Sequence, residues 1–113
     1  MKIKYNNRKF RSIHNSGSGE VDSETIFHYR QRDNVIWATY EGGAIRHGTL
    51  CGIVTEDERL DFRYAHVNRA DEIMTGRCLS TPRLLPDGRI RLREEWQWTS
   101  GDLSSGQSEI EEI

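Results

Sequence analysis

From residue 26 to residue 99, apolar and polar side chains tend to alternate every second position, and no stretch holds an i, i+3, i+4, i+7 apolar stripe for three turns. That repeat commits the chain to half-buried strands, which need hydrogen-bonding partners along their edges and a core on one face. Strands are expected over 26–31, 35–40, 45–54, 60–67, 73–80 and 90–99, with a first around 8–13 and a last around 107–112. The joints between them, such as Asp33-Asn34, Gly42-Gly43 and Pro86-Asp87-Gly88, are residues that accept turn dihedrals. Eight short strands at about ten-residue spacing describe an antiparallel meander, and closing such a sheet on itself removes both exposed edges. The expected fold is all-β: one domain, residues 1–113, forming an eight-stranded antiparallel up-and-down β-barrel.

The cost of burying charge assigns the faces. On the seventh strand Ile90, Leu92, Glu94, Trp96 and Trp98 share one face, and Arg89, Arg91, Arg93, Glu95 and Gln97 share the other. Burying one carboxylate costs far less than burying five charged or amide groups, so Glu94 and the tryptophans turn inward. The same comparison turns Leu60, Phe62, Tyr64 and His66 inward on the fifth strand and Phe27, Tyr29 and Gln31 inward on the second. Parity leaves three strands open, because Trp37 competes with Tyr40, Leu50 with Ile53, and Ile73 with Met74. If Trp96 lies opposite Ser108, Arg93 falls opposite Glu111 on the outer face, and the arginine stripe becomes an ion-pair ladder.

A net charge of −2 and a pI near 6.1 disfavour a nucleic-acid partner, which needs a basic excess on some face. Cys51 and Cys78 lie outside any CxxC pair, so neither a zinc site nor a disulfide framework is signalled; two free thiols and a cytoplasmic location are expected. The start, MKIKYNNRKF, has no apolar core of a signal peptide, and no apolar run approaches the roughly 18 residues of a spanning helix, so no membrane association is expected. His14, His28, His47 and His66 fall toward one end of the barrel, but His28 points outward, and no metal or cofactor is expected. His14-x-x-Gly17-x-Gly19 has the glycine spacing of an acyl-coenzyme-A pyrophosphate loop, yet no helix follows it, and Ser16 to Gly19 reads as a flexible loop.

Up-and-down order gathers the joints at 14–23, 41–44, 67–71 and 99–106 at one mouth. Two of the chain's three tryptophans stand just beneath that mouth, in the stretch EEWQWTSGDLSSG at 94–106. Polar groups within an aromatic interior describe a ligand pocket, and the candidate binding residues are Phe27, Tyr29, Gln31, Tyr64, His66, Arg77, Glu94, Trp96 and Trp98. The function expected is non-catalytic binding of a small aromatic or cationic molecule. Glu94 and His66 form an alternative, a general acid–base pair, should they come within hydrogen-bond reach. Against it stands a purely structural network in which Glu94 is satisfied by Arg77, Gln31 and a tyrosine. Outward apolar residues such as Ile36 or Met74 would support a homodimer.

Trp96-Gln97-Trp98-Thr99-Ser100-Gly101-Asp102 resembles the penultimate strand and following loop of the avidin family, calycin-type barrels in which W-x-x-T-S-G ends a strand whose tryptophan faces the biotin site. The resemblance implies that Trp96 walls a pocket, and that Glu94 stands where the family carries a small hydroxyl residue bonded to biotin. A carboxylate there suits a cationic or hydrogen-bond-donating ligand, and the family's tryptophan near the amino-terminal strand is missing, so the resemblance does not carry biotin with it. Over its full length the chain is similar to small bacterial proteins often labelled N-acetylglutamate synthase, a label that implies acetyl transfer from acetyl-coenzyme A to glutamate.

Overall fold

The computed structural model describes residues 2–113. Eight strands follow one another in chain order: β1 Arg8–Asn15, β2 Ile26–Arg32, β3 Val35–Gly42, β4 Ile45–Val54, β5 Leu60–Asn68, β6 Ile73–Leu84, β7 Ile90–Trp98 and β8 Ser105–Glu112. Each pairs antiparallel with the next, and β8 returns to pair with β1, closing the barrel. The fold is the up-and-down barrel expected from the two-residue repeat. The strand β6 runs four residues past its expected end at Ser80, through Pro82. Its pairing with β5 ends at Leu60 and Ser80, so the missing N–H of Pro82 falls where no bond to β5 is needed.

Inward parity holds as expected on β2, β5 and β7, with Phe27, Tyr29, Leu60, Phe62, Leu92, Trp96 and Trp98 all buried. Steric complementarity decides the three strands that parity left open. Ile36, Ala38 and Tyr40 face in on β3 while Trp37 is 38% exposed; Leu50 faces in on β4 and Ile53 out; Ile73, 72% exposed, faces out on β6. Inward glycines sit opposite the large rings: Gly48 pairs with Tyr40, Gly76 with Tyr64 and Gly106 with Trp96. A Cβ at any of the three would overlap the ring it faces. A bulge between Ile45 and His47 reverses parity inside β4, which brings both Ile45 and Leu50 into the core although they are five residues apart.

Two expectations need correction. Ile36 is wholly buried and Met74 packs against the core, so the apolar residues presented outward on β3 and β4 are Val35, Trp37 and Ile53 instead. The register of β8 is displaced by two residues from the expected pairing: Ser108 lies opposite Glu94, Gly106 opposite Trp96, and Arg93 opposite Glu109. Only a residue without a side chain fits beneath the Trp96 ring, and Ser108 brings a hydroxyl to Glu94, so packing and hydrogen bonding select the same slip. The outer ladder survives with other partners, Arg91 and Arg89 both reaching Glu111, at 2.5 and 3.0 Å. Such exposed pairs each contribute less than about 1 kcal/mol.

The two ends of the barrel differ. Residues 2–7 cross the end away from the tryptophans, where Tyr5 is buried against Tyr29 and its N–H donates to Gln31 Oε1 at 2.8 Å. The tryptophan end is covered by the β1–β2 loop, residues 16–25, in which Thr25 is buried and donates to Gly42 O at 3.1 Å.

Candidate functional site

A cavity of about 50 Å³ lies inside the barrel beneath the β1–β2 loop. Six aromatic side chains line it: Phe27, Tyr40, Phe62, Tyr64, Trp96 and Trp98. They form a nearly continuous cage, with Phe27 stacked on Tyr40 at 4.9 Å between centroids, Trp96 against Trp98 at 5.6 Å and Tyr64 against Trp98 at 5.8 Å. The alternation of β2, β3, β5 and β7 points these rings at the axis, and Gly48, Gly76 and Gly106 make room for them.

Glu94 reaches the cavity from β7 and is 7% exposed. Ser80 Oγ donates to its Oε2 at 3.0 Å and Ser108 Oγ to its Oε1 at 3.1 Å. Among the described residues no Lys, Arg or His forms an ion pair with it. Burial drives its carboxyl up to about 7, because two hydroxyl donors and the nearby Cys78 thiol only partly replace the water that a carboxylate loses. Burial also pushes the Cys78 thiol well above its ordinary range, with the charge of Glu94 adding to the shift, so this thiol stays protonated and unreactive.

His66 reaches the same cavity from β5, 3% exposed. Tyr40 Oη lies 2.9 Å from its Nδ1, and Glu20 Oε1, from the β1–β2 loop, lies 2.8 Å from its Nε2. In the tautomer protonated at Nε2, that N–H donates to Glu20 Oε1 and Nδ1 accepts from the Tyr40 hydroxyl. Asn68 Nδ2 donates to Glu20 Oε2 as well, at 3.0 Å. Trp98 Nε1–H holds the loop directly, donating to Ser18 Oγ at 3.1 Å, while Trp96 Nε1–H donates at 3.1 Å to Asn15 Oδ1 at the end of β1, whose Nδ2 in turn donates to Val21 O of the loop. The indoles thus wall the cavity with their rings, and the Trp98 N–H ties down its cover.

Of the expected binding residues, Phe27, Tyr64, His66, Glu94, Trp96 and Trp98 are brought together around one cavity. Three are not. Tyr29 is buried away from the lining, packed against Phe10 and Tyr5. Gln31 lies at the opposite end, where its amide bridges Tyr5 N–H and Asp33 O. Arg77 stands on the outer face, donating to Gln97 Oε1 at 2.7 Å, because its strand turns Gly76 and Cys78 inward. The network of Glu94 with Arg77, Gln31 and a tyrosine is therefore replaced by Ser80 and Ser108. Glu94 and His66 do not hydrogen-bond to each other, since both ring nitrogens of His66 are occupied by Tyr40 and Glu20. His14, His28 and His47 do not line the cavity, and the described residues hold no group of three metal ligands.

Asn15, Glu20, Tyr40, Cys78 and Ser108 line the site without having been expected there. Tyr40 and Cys78 were hidden by the unresolved parity of β3 and β6, a choice that the glycines opposite the rings could have settled. Glu20 lies in a loop whose sequence carries no sign of where it folds, and Ser108 needed the register of β8.

An eight-stranded barrel closed from β1 to β8, with an aromatic cavity walled by the last two tryptophans, defines the fold and the site. Residues 3–113 match the family described as avidin-like protein. The chain belongs to that family. No curated protein matches the chain, and no solved structure does. In this avidin-like barrel, Trp96 lines the interior cavity.

Proposed function

We propose that this avidin-like protein binds a small organic molecule inside its barrel and holds it without chemical change. The observation that carries the reading is Glu94: a buried carboxylate without an ion-pair partner among the described residues, facing an aromatic cavity. A structural carboxylate gains nothing from such a place, whereas one that meets a ligand recovers there part of the solvation it lost. Membership of the family supports small-molecule binding in the same interior. The cavity is compact, about 50 Å³, which suits a small molecule unless the β1–β2 loop moves.

Acid–base chemistry by Glu94 and His66 fits less well, because His66 is spent on Tyr40 and Glu20. Acetyl transfer fits less well still, since coenzyme A is far larger than the cavity. A thermal-shift screen against a metabolite library tests the proposal, followed by recovery of each stabilising compound. Binding is expected to raise the melting temperature of the wild type, to be weakened in Glu94→Gln, and to return the compound unchanged. Consumption of a stabilising compound, or release of free coenzyme A from acetyl-coenzyme A and glutamate, would overturn it; so would a screen with no stabilising compound.

A further inference from the structure

The geometry points to a compact organic ammonium ion as the ligand: a tertiary or quaternary amine caged by the rings of β2, β3, β5 and β7 with its charge at Glu94. This rests on the reading of the cavity as a binding site and goes further by naming the chemistry.

Three observations converge on it. The first is the sign of the lining. The chain carries 16 Lys and Arg residues, yet among the described residues none lines the cavity, while two carboxylates, Glu94 and Glu20, do. An anionic ligand would enter beside Glu94 with no counter-charge, at a desolvation cost that nothing in the lining offsets.

The second is the cage. Phe27, Tyr40, Tyr64, Trp96 and Trp98 surround the space, and the negative faces of aromatic rings attract a desolvated cation. Aromatic rings also suit the methyl groups of an alkylated amine, which need no hydrogen-bond acceptor. The indole N–H groups, which would repel a cation, are taken up by Asn15 Oδ1 and Ser18 Oγ.

The third is the state of Glu94. Its two oxygens accept from Ser80 and Ser108 and meet no cation among the described residues, and burial holds its carboxyl up at about 7. An ammonium ion supplies the missing charge, and an N–H of a tertiary amine can donate to the carboxylate. Glu20 occupies His66 at the rim and leaves Glu94 as the charge that meets the ligand.

Trimethylammonium is a compact alkylated ammonium ion, and 2-propanol has the same branched skeleton of four non-hydrogen atoms without charge. The wild type is titrated with each at pH 8, where Glu94 is ionised, at matched ionic strength set with sodium chloride. Melting temperature and the indole N–H resonances are followed. Trimethylammonium is expected to raise the melting temperature and to shift the resonances of Trp96 and Trp98, leaving Trp37 on the outer face unmoved. Glu94→Gln is expected to weaken that binding at least tenfold. The resonance shifts are read on the wild type, so the test stands even if the variant folds poorly. Equal responses to both probes would overturn the ammonium assignment and leave interior binding intact. No response to trimethylammonium would also overturn it, and interior binding would then be judged by the library screen alone.

Discussion

Replacing Glu94 by glutamine should change how stability depends on pH, and the change can be worked from its surroundings. Burial raises the Glu94 carboxyl from 4.5 to about 7 in the folded chain. Between those values the folded protein holds a proton that the unfolded chain has released. The stability due to neutral Glu94 is then fully present below pH 4.5 and is lost as the pH rises through 7. At about 1.4 kcal/mol per pH unit, the window is worth about 3 kcal/mol. The group is wholly buried, so solvent screening takes little from that figure. Glutamine keeps the shape, its Oε1 accepting from one of Ser80 and Ser108 and its Nε2 donating to the other, but does not titrate. The exposed carboxylates of Asp57, Asp87 and Asp102 and the outer-face Glu111 are held below their ordinary range by hydrogen bonds and arginine partners; their contribution fades only as the pH falls below the carboxylate range. They are common to both proteins and cancel in the comparison. Urea unfolding at half-unit steps from pH 4.5 to 8 gives the two stabilities. Glu94→Gln should gain about 3 kcal/mol on the wild type across that range, whatever its starting offset. Parallel curves would show that Glu94 titrates as an ordinary glutamate and is not buried as described.

Other perturbations check other parts of the site. Gly106→Ala places a methyl group into the Trp96 ring and should cost about 1–3 kcal/mol in urea unfolding, as overpacked cores do, with a shift in tryptophan emission. Tyr29→Phe removes a buried hydroxyl with no partner among the described residues, and should leave stability unchanged or raise it by about 1 kcal/mol; a loss above that would show that the hydroxyl is bonded. Glu20→Ala cuts the cover loop from His66 and Asn68, so amide exchange over residues 16–25 should accelerate while the β-strands keep their protection; unchanged exchange in the loop would refute the latch.

Much of this barrel was legible from its residues. Strand number and order follow from a two-residue repeat broken by turn residues, and the faces of β2, β5 and β7 follow from the cost of burying charge. Both are properties of one strand at a time, which is why they survive without knowledge of the neighbours. Half-legible were β3, β4 and β6, where a large apolar residue stands on each face. There the choice is made across the sheet, by Gly48 opposite Tyr40 and Gly76 opposite Tyr64, and inside β4 by a bulge.

The sequence by itself determined an all-β chain, its eight strands, and an interior carrying Glu94 between Leu92 and Trp96. It could not determine what Glu94 meets. The two-residue slip of β8 that sets Ser108 against Glu94 preserves parity, so every single-strand criterion is blind to it, and the fit of Gly106 under Trp96 together with the Ser108 hydrogen bond to Glu94 selects it. The placing of Glu20 on His66 is still less local: the two lie 46 positions apart, and a glycine- and serine-rich loop is free to cross either side of the mouth until the Trp98 indole N–H and a buried imidazole bind it. Side-chain alternation is paid for residue by residue along the strand, whereas register and loop docking depend on contacts that exist only once the barrel has closed.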